Sequence, residues 1–225
     1  MTDVGENADG SVSEPDDADG VDQRRVVREG YEAIAEAYAV ERDLGPEEGA
    51  VLETLAADLD SGSRVLDAGC GDGRAVAARL VERVGAVCGL DVARAQCALA
   101  RENVPAGAFV QGDLVRLPYA DDAFDAVCSL HAIIHVPRDR HEAVFREFRR
   151  VLSPGGLLLT TSGVGPWAGR NEDWLGAGAE MRWSFHGAER TRELLAAAGF
   201  AVEDERVIDD AVGGGEWLYV LARAP

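Results

Sequence analysis

The chain has 225 residues, 47% of them hydrophobic, which is enough to bury a full core in a single α/β domain. Its 41 acidic residues outnumber 22 basic residues, all of them arginine, and the net charge is −19. Such acidity disfavours nucleic-acid and anionic-membrane partners, because phosphate contacts need positive charge. The sequence shows neither a signal peptide nor an apolar run approaching the ~20 residues of a membrane span. We therefore expect a cytoplasmic protein, either monomer or homodimer.

The acid excess without lysine is typical of proteins from salt-loving archaea. In molar salt the Debye length falls to ~3 Å, so self-repulsion is screened while the acidic surface stays hydrated. GC-rich coding also favours arginine over lysine but does not explain the acid excess. Four scattered cysteines (Cys70, Cys88, Cys97, Cys128) form no C-x-x-C pair, so we predict small buried side chains and neither a disulfide frame nor a metal site.

Residues 1–22 are acidic and poor in apolar side chains, which predicts a disordered tail. Two amphipathic helices follow within residues 23–60, separated by Gly45-Pro46. Tyr31 and Tyr38 are seven residues apart, on one side of the first helix. They form either a core stripe or, together with Arg42, a lid over a ligand, and spacing alone favours the core stripe.

The central motif is Val65-Leu-Asp-Ala-Gly-Cys-Gly-Asp-Gly-Arg74. It predicts a buried strand that breaks into a glycine-rich turn and opens a helix, which brings bare backbone N–H groups beside a ligand. The next strand, Gly85–Asp91, ends in a carboxylate about 20 residues beyond these glycines, where doubly wound folds place the acid that accepts ribose hydroxyls. Asp91 can also cap the helix that follows.

A third strand runs from Ala108 to Gln111 into Gly112-Asp113-Leu114, and a fourth spans Phe124–Ser129. Asp113 alone would more often be a turn former, but it can accept the exocyclic amine of a purine. Asp67, Asp91 and Asp113 thus mark three successive strand ends, the edge at which open α/β sheets bind ligands.

Residues 65–162 resemble the class I S-adenosylmethionine-dependent methyltransferases, of the type that acts on small molecules. The resemblance lies in the motifs already quoted, Leu-Pro at 117–118, Phe-Asp-Ala-Val at 124–127 and Leu-Ser-Pro-Gly-Gly-Leu-Leu-Leu at 152–159. It implies a Rossmann-like, doubly wound sheet of seven strands with the last antiparallel, in one domain over residues 23–225. It also implies S-adenosylmethionine as cofactor and S-adenosylhomocysteine as product. The cofactor-binding residues it implies are Tyr31, Tyr38, Arg42, Asp67, Gly69, Cys70, Gly71, Gly73, Asp91, Val92, Gly112, Asp113, Leu114, Ser129 and Leu130.

Two histidines follow the fourth strand. His131 lies immediately past its end and is the first candidate for a general base, and His135 is the second. A metal-binding pair at i, i+4 is the alternative, but no third ligand of obvious type is near. We expect no metal.

Residues 163–187 are rich in Gly and aromatic side chains and predict an irregular insert. This insert either shapes an apolar or flat acceptor site or covers the sheet edge as a satellite core. The expected activity is methyl transfer to an unidentified small molecule. The alternatives are a protein that binds S-adenosylmethionine without catalysis and a nicotinamide-dependent oxidoreductase, which the G-x-G-x-G spacing disfavours.

Overall fold

The computed structural model describes residues 17–41, 44–209 and 215–225, with side chains from Gln23 onward. Its main sheet has the order β3-β2-β1-β4-β5-β9-β8, and a separate two-stranded ribbon pairs β6 with β7. The strands are β1 (Arg64–Ala68), β2 (Ala86–Asp91), β3 (Ala108–Gln111), β4 (Phe124–Ser129), β5 (Leu152–Gly163), β6 (Trp167–Asn171), β7 (Met181–Phe185), β8 (Ala201–Asp209) and β9 (Glu216–Arg223).

The predicted seven-stranded sheet with an antiparallel last strand is confirmed. Strands β1 to β5 pair in parallel, whereas β9 runs antiparallel to both β5 and β8. The chain order reverses beside β1, with β2 on one side and β4 on the other, and this is where doubly wound sheets form a ligand crevice. Strands β2, β3 and β4 begin and end within one residue of the predicted limits.

The sequence predicts a turn at Ser153-Pro-Gly-Gly and a fifth strand from Leu157 to Thr161, but strand β5 starts five residues earlier, at Leu152. Its pairing with β4 passes from Phe124↔Leu152 directly to Ala126↔Leu157, so the predicted Ser-Pro-Gly-Gly turn bulges out of the ladder. Gly155 takes a positive φ of 76° within this bulge. The turn was predicted correctly, but the pairing on both sides of it was not visible in the sequence.

Side chains alternate between two cores on opposite faces of the sheet. Leu66, Val127 and Val220 point to one face, and their neighbours Val65, Cys128 and Tyr219 point to the other. Helices cover both faces: α3 (Pro46–Ala56), α4 (Ala77–Leu80) and α5 (Arg94–Asn103) on the second face, α6 (His141–Val151) and α7 (Ala188–Ala197) on the first. This double covering explains the near-continuous apolar runs of the parallel strands.

The N-terminal region differs from its prediction. Helix α1 (Asp17–Ala33) begins six residues before the expected boundary at residue 23. A bend at Ile34 then separates α1 from α2 (Ala35–Glu41), where one continuous helix was predicted. The tail prediction for residues 1–16 and the role of Arg42 lie outside the described residues.

Residues 163–187 are not the irregular segment that was predicted, because β6 and β7 form an antiparallel ribbon here. The ribbon packs on α1 through a third buried cluster containing Val27, Ile34, Ala179 and Met181. Five-residue strands interrupted by Gly169 give too short an alternation to be recognised in the sequence. Among the described residues, no helix is long and apolar enough to cross a membrane.

Candidate functional site

The glycine-rich turn after β1 is shaped for close backbone approach. Gly69 and Gly71 have positive φ angles of 89° and 52°. A Cβ on Gly69 would lie only 2.1 Å from the Cβ of Ala132, so no larger residue fits. Gly73 also has a positive φ, but a Cβ there would meet Ala100 and Val104 of the α5 region. Gly73 therefore serves helix packing and does not face the cleft described below.

Asp67 lies beneath this turn and not on the ligand side. Its side chain is buried, and burial raises the pKa of its carboxyl to about 8, although a hydrogen bond from the backbone of Ala77 opposes the rise. Its Oδ2 has no hydrogen-bond partner among the described residues. At neutral pH Asp67 is therefore mainly protonated, and it ties the end of β1 to the start of α4.

Asp91 joins the glycine turn to the second strand. Its Oδ2 accepts a hydrogen bond from Gly71 N at 2.9 Å, and its Oδ1 accepts one from Ala93 N at 2.9 Å. Burial raises the pKa of Asp91 to about 6 despite these hydrogen bonds. Each carboxylate oxygen keeps a further lone pair, so Asp91 can hold the turn and still accept ligand hydroxyls.

Asp113, past the end of β3, is held by two contacts. Its Oδ1 accepts a hydrogen bond from Val115 N at 3.0 Å, and its Oδ2 pairs with the guanidinium of Arg24 from α1. The pair is partly exposed, with 40% and 32% of the two side chains accessible. A ligand amine that reaches Asp113 Oδ2 therefore competes with Arg24.

These groups surround one cleft of about 100 Å³ at the carboxyl ends of β1 to β4. Its lining includes most of the predicted site residues: Tyr31, Tyr38, Gly69, Gly71, Asp91, Val92, Gly112, Asp113, Leu114, Leu130, His131 and His135. Asp67, Cys70, Gly73 and Ser129, also predicted, are not among the lining residues. Ser129 is fully buried one position before the cleft, and Cys70 is buried between two lining glycines.

The cleft also contains residues that the sequence did not suggest: Arg24, Val27, Leu90, Gln96, Ala132 and Val136. Gln96 is 1% exposed, and neither its Oε1 nor its Nε2 has a hydrogen-bond partner among the described residues. A buried amide with both ends unpaired is costly, which makes Gln96 a candidate ligand contact. Its position on α5, five residues after Asp91, is the only sequence signal that could have found it.

His135 is enclosed between α1 and the ribbon. Its Nδ1 lies 2.9 Å from the carbonyl oxygen of Arg182, which can only accept, so Nδ1 carries the proton. Its Nε2 lies 2.9 Å from the hydroxyl of Tyr31 and accepts a hydrogen bond from it. Burial lowers the pKa of His135 to about 4, so the ring is neutral at pH 7.

His131 has a different environment. It adopts a positive φ of 53°, and its backbone N–H donates to Thr161 Oγ1 at 2.6 Å. Its Nε2 lies 3.1 Å from Glu48 Oε1 and 2.6 Å from the hydroxyl of Tyr219. The predicted histidine pair is thus split, with one ring held by a carbonyl and a phenol and the other by a carboxylate and a phenol. The described residues contain no group of three His, Cys, Asp or Glu side chains able to hold a metal ion.

Aromatic rings connect the two histidines around the outside of the cleft. Trp183 lies 5.5 Å from His135 and 6.2 Å from Trp167, ring centroid to ring centroid. Phe185 continues the series to Trp217, which packs edge-on against His131 at 5.4 Å. None of residues 163–187 is among the described lining residues, and the ribbon packs against α1 in the third buried cluster.

The site has the properties that an adenosyl amino acid requires. Gly69, Gly71 and Gly112 line the cleft without side chains, and Asp91 offers hydroxyl acceptors. The unpaired amide of Gln96 supplies both a donor and an acceptor on the same wall. The residues present therefore fit S-adenosylmethionine.

Comparisons with known proteins agree with this geometry. Residues 66–160 match the family model described as a methyltransferase domain. The chain is 32% identical over 166 residues to a protein of Encephalitozoon cuniculi that carries the name methyltransferase, covering 67% of this chain and 76% of the other. It is 41% identical over 188 residues to a sterol 24-C-methyltransferase of Gibberella zeae, covering 72% of this chain. It spans less than half the length of that sterol enzyme.

A solved structure from Burkholderia thailandensis is also similar. It is a 1,6-didemethyltoxoflavin-N1-methyltransferase with bound 1,6-didemethyltoxoflavin and S-adenosylhomocysteine, and it superposes with a TM-score of 0.74 at 21% identity. The match covers 95% of this chain and 93% of that one. The fold is thus that of the class I methyltransferases. The chain belongs to the S-adenosylmethionine-dependent methyltransferase family.

Proposed function

We propose that this protein transfers the methyl group of S-adenosylmethionine to an uncharged small molecule. The observation that carries the proposal is the meeting of Gly69, Gly71, Asp91 and Asp113 around one cleft at the strand ends. Bound there, S-adenosylmethionine supplies an electrophilic methyl group on a sulfonium. Asp91 holds the ribose hydroxyls, Asp113 takes the adenine amine, and Val92 and Leu114 pack beside the ring.

The acceptor class follows from the other end of the cleft. Tyr31, Leu130, Ala132 and Val136 line it, together with the two histidines, and His135 is neutral at pH 7. The charged lining residues among those described (Arg24, Asp91 and Asp113) all lie at the adenosyl end. A phosphate or carboxylate on the acceptor would find no described arginine here, which favours a neutral, largely apolar molecule.

The protein's contribution to the rate is mainly proximity and orientation. Well-oriented intramolecular reactions gain roughly 7–11 kcal/mol from this effect. The leaving thioether needs no proton, so a base is required only when the acceptor arrives protonated. His131 and His135 are the candidate bases within the cleft.

Calorimetric titration tests the proposal, with S-adenosylmethionine, S-adenosylhomocysteine and NADH as ligands in dilute buffer and in molar KCl. We expect both adenosyl ligands to bind and NADH not to bind. Asp91→Ala should abolish binding, whereas the control Asp121→Ala, at an exposed acid far from the cleft, should leave it unchanged. Binding of NADH alone would refute the proposal.

Catalysis needs a separate measurement. Radiolabelled methyl transfer from S-adenosylmethionine into a small-molecule extract should occur with the wild type and not with Asp91→Ala. Tight binding without transfer to any fraction would favour the alternative of a binding protein without catalysis. Highest activity in molar salt would support the salt-adapted origin suggested by the net charge of −19.

A further inference from the structure

Three side chains from distant parts of the chain meet beside the cleft. Glu48 comes from the first turn of α3, His131 from the loop after β4, and Tyr219 from β9. All three are at most 9% exposed. Only His131 lines the cleft, so Glu48 and Tyr219 act on a ligand through it.

The hydrogen bonds among these residues fix the positions of the protons. Glu48 Oε2 accepts from the backbone N–H of Gly45 at 2.7 Å, and Glu48 Oε1 accepts from the Tyr219 hydroxyl. Since that hydroxyl proton is given to Glu48, the Tyr219 oxygen can only accept from His131 Nε2, 2.6 Å away. Glu48 Oε1, 3.1 Å from the same nitrogen, accepts there as well. Nε2 of His131 therefore carries a proton.

The consequence is that the two histidines of the cleft have opposite tautomers. Neutral His131 keeps its lone pair on Nδ1, whereas neutral His135 keeps its lone pair on Nε2 and receives the Tyr31 hydroxyl there. A carboxylate beside His131 stabilises the imidazolium. His135 has a carbonyl in the corresponding place and is buried, so it gains no such stabilisation.

We propose that Glu48 and Tyr219 are positioning residues that hold His131 with Nδ1 as the proton acceptor of the methyl transfer. This inference rests on the proposed function. The acceptor's lone pair forms the bond to the methyl carbon, the pair of the broken C–S bond stays on sulfur, and the acceptor's proton passes to His131 Nδ1. His135 remains neutral and orients the site through Tyr31.

The titratable groups that face His131 set the design of the test. Among the residues that the structure describes, the contacts place Glu48 from α3, Tyr219 from β9 and His135 from the same loop against it. Glu48→Gln keeps an oxygen for the Gly45 cap but removes the charge, and Tyr219→Phe keeps the ring. Glu47→Gln is the matched control, because Glu47 is the neighbouring residue of α3 and is exposed.

The measurement is NMR of protein labelled with ¹⁵N in the histidine rings, with His131 assigned through His131→Asn. We expect neutral His131 to have its proton on Nε2. We expect its pKa to fall by about one pH unit in Glu48→Gln and to stay unchanged in Glu47→Gln. Tyr219→Phe should keep the tautomer, since Glu48 still accepts. A proton on Nδ1, or a pKa of His131 indifferent to Glu48, would overturn the proposal.

A second measurement, the pKa of His131 in two ligand complexes, tests whether His131 faces the reacting centre. The sulfonium of S-adenosylmethionine is positive and the thioether of S-adenosylhomocysteine is neutral, so the pKa of His131 should be about one pH unit lower in the first complex. Equal values in the two complexes would overturn the catalytic part. If neither ligand binds, the proposed function fails, while the tautomer and the Glu48→Gln comparison still decide how His131 is held.

Discussion

The hydroxyl of Tyr31 donates to Nε2 of His135 across 2.9 Å, which joins α1 to the loop after β4. Gln23 strengthens the same junction, since its Nε2 donates to the carbonyl oxygen of His135 at 3.0 Å. Tyr31 and Tyr38 lie on opposite sides of the bend at Ile34, and their rings pack edge to face with centroids 5.0 Å apart. Helix α1 is therefore held against the cleft by two hydrogen bonds to His135 as well as by apolar packing.

Tyr31→Phe should lower the free energy of unfolding by about 1 kcal/mol, because it leaves Nε2 of His135 buried without a donor. Urea denaturation measures the difference. Tyr119→Phe is the control, since the Tyr119 hydroxyl is buried and has no hydrogen-bond partner among the described residues. That control should be neutral or stabilising. Equal losses in both variants would contradict the role given to the Tyr31–His135 contact.

The affinity for S-adenosylhomocysteine should fall as the pH drops through about 6. The pKa of Asp91 is raised to about 6 by burial, so acidification protonates the carboxylate that accepts the ribose hydroxyls. Titration calorimetry between pH 5 and pH 8 measures this dependence. Asp91→Asn should bind weakly at every pH and show no inflection near pH 6. An inflection that persists in this variant would assign the titration to another group.

Asp67 should make the protein less stable as the pH rises. Its folded pKa is about 8 against a reference value of 3.8, so the folded state binds the extra proton between those values. The resulting stabilisation is complete below about pH 4 and is lost as the pH rises through about 8.

Asp67→Asn should therefore gain stability relative to the wild type as the pH increases from 4 to 8, by an amount on the order of a few kcal/mol. Denaturation midpoints across that range provide the measurement. Asp121→Asn, a change at an exposed acid, should follow the wild-type curve. Parallel curves for Asp67→Asn and the wild type would show that Asp67 is ionised in the folded state.

Arg24→Ala should tighten the binding of adenosyl ligands, because Arg24 occupies the carboxylate oxygen that the adenine amine needs. A partly exposed ion pair is worth about 0.2–1 kcal/mol, which corresponds to at most about a fivefold change in Kd. Added salt should strengthen binding to the wild type more than to the variant, since it screens this pair. Arg28→Ala, on an exposed part of α1, is the control. Weaker binding in Arg24→Ala would indicate that Arg24 contacts the ligand directly.

Gln96→Leu should stabilise the ligand-free protein and weaken ligand binding. The substitution removes a buried amide that has no partner among the described residues, and such a group costs about 1–3 kcal/mol. Thermal unfolding with and without S-adenosylhomocysteine separates the two effects. The variant should have the higher Tm alone and the smaller increase with ligand. If the ligand raised the Tm of the variant as much as that of the wild type, Gln96 would not contact the ligand.

The sequence predicted those parts of the fold and site that depend on local pattern. Strands β1 to β4 each combine an apolar run with a glycine or acid at the end, so their limits and the positions of Asp91 and Asp113 were accessible. Glu48 was not, because it looks like an ordinary acid in the first turn of a helix. Its burial depends on Tyr219, 171 residues away. The β6–β7 ribbon was missed for a related reason, because the surface that it packs against belongs to α1, which is distant in the sequence.

Gly30 lies where α1 crosses the ribbon. A Cβ there would come within 2.7 Å of the carbonyl oxygen of Glu180 and 3.1 Å of Met181 Cε. The helix that bears Tyr31 and the ribbon whose Arg182 carbonyl holds His135 are thus fitted to each other before any acceptor arrives. Transplanting the ribbon from a relative should therefore fail unless the helix is exchanged with it.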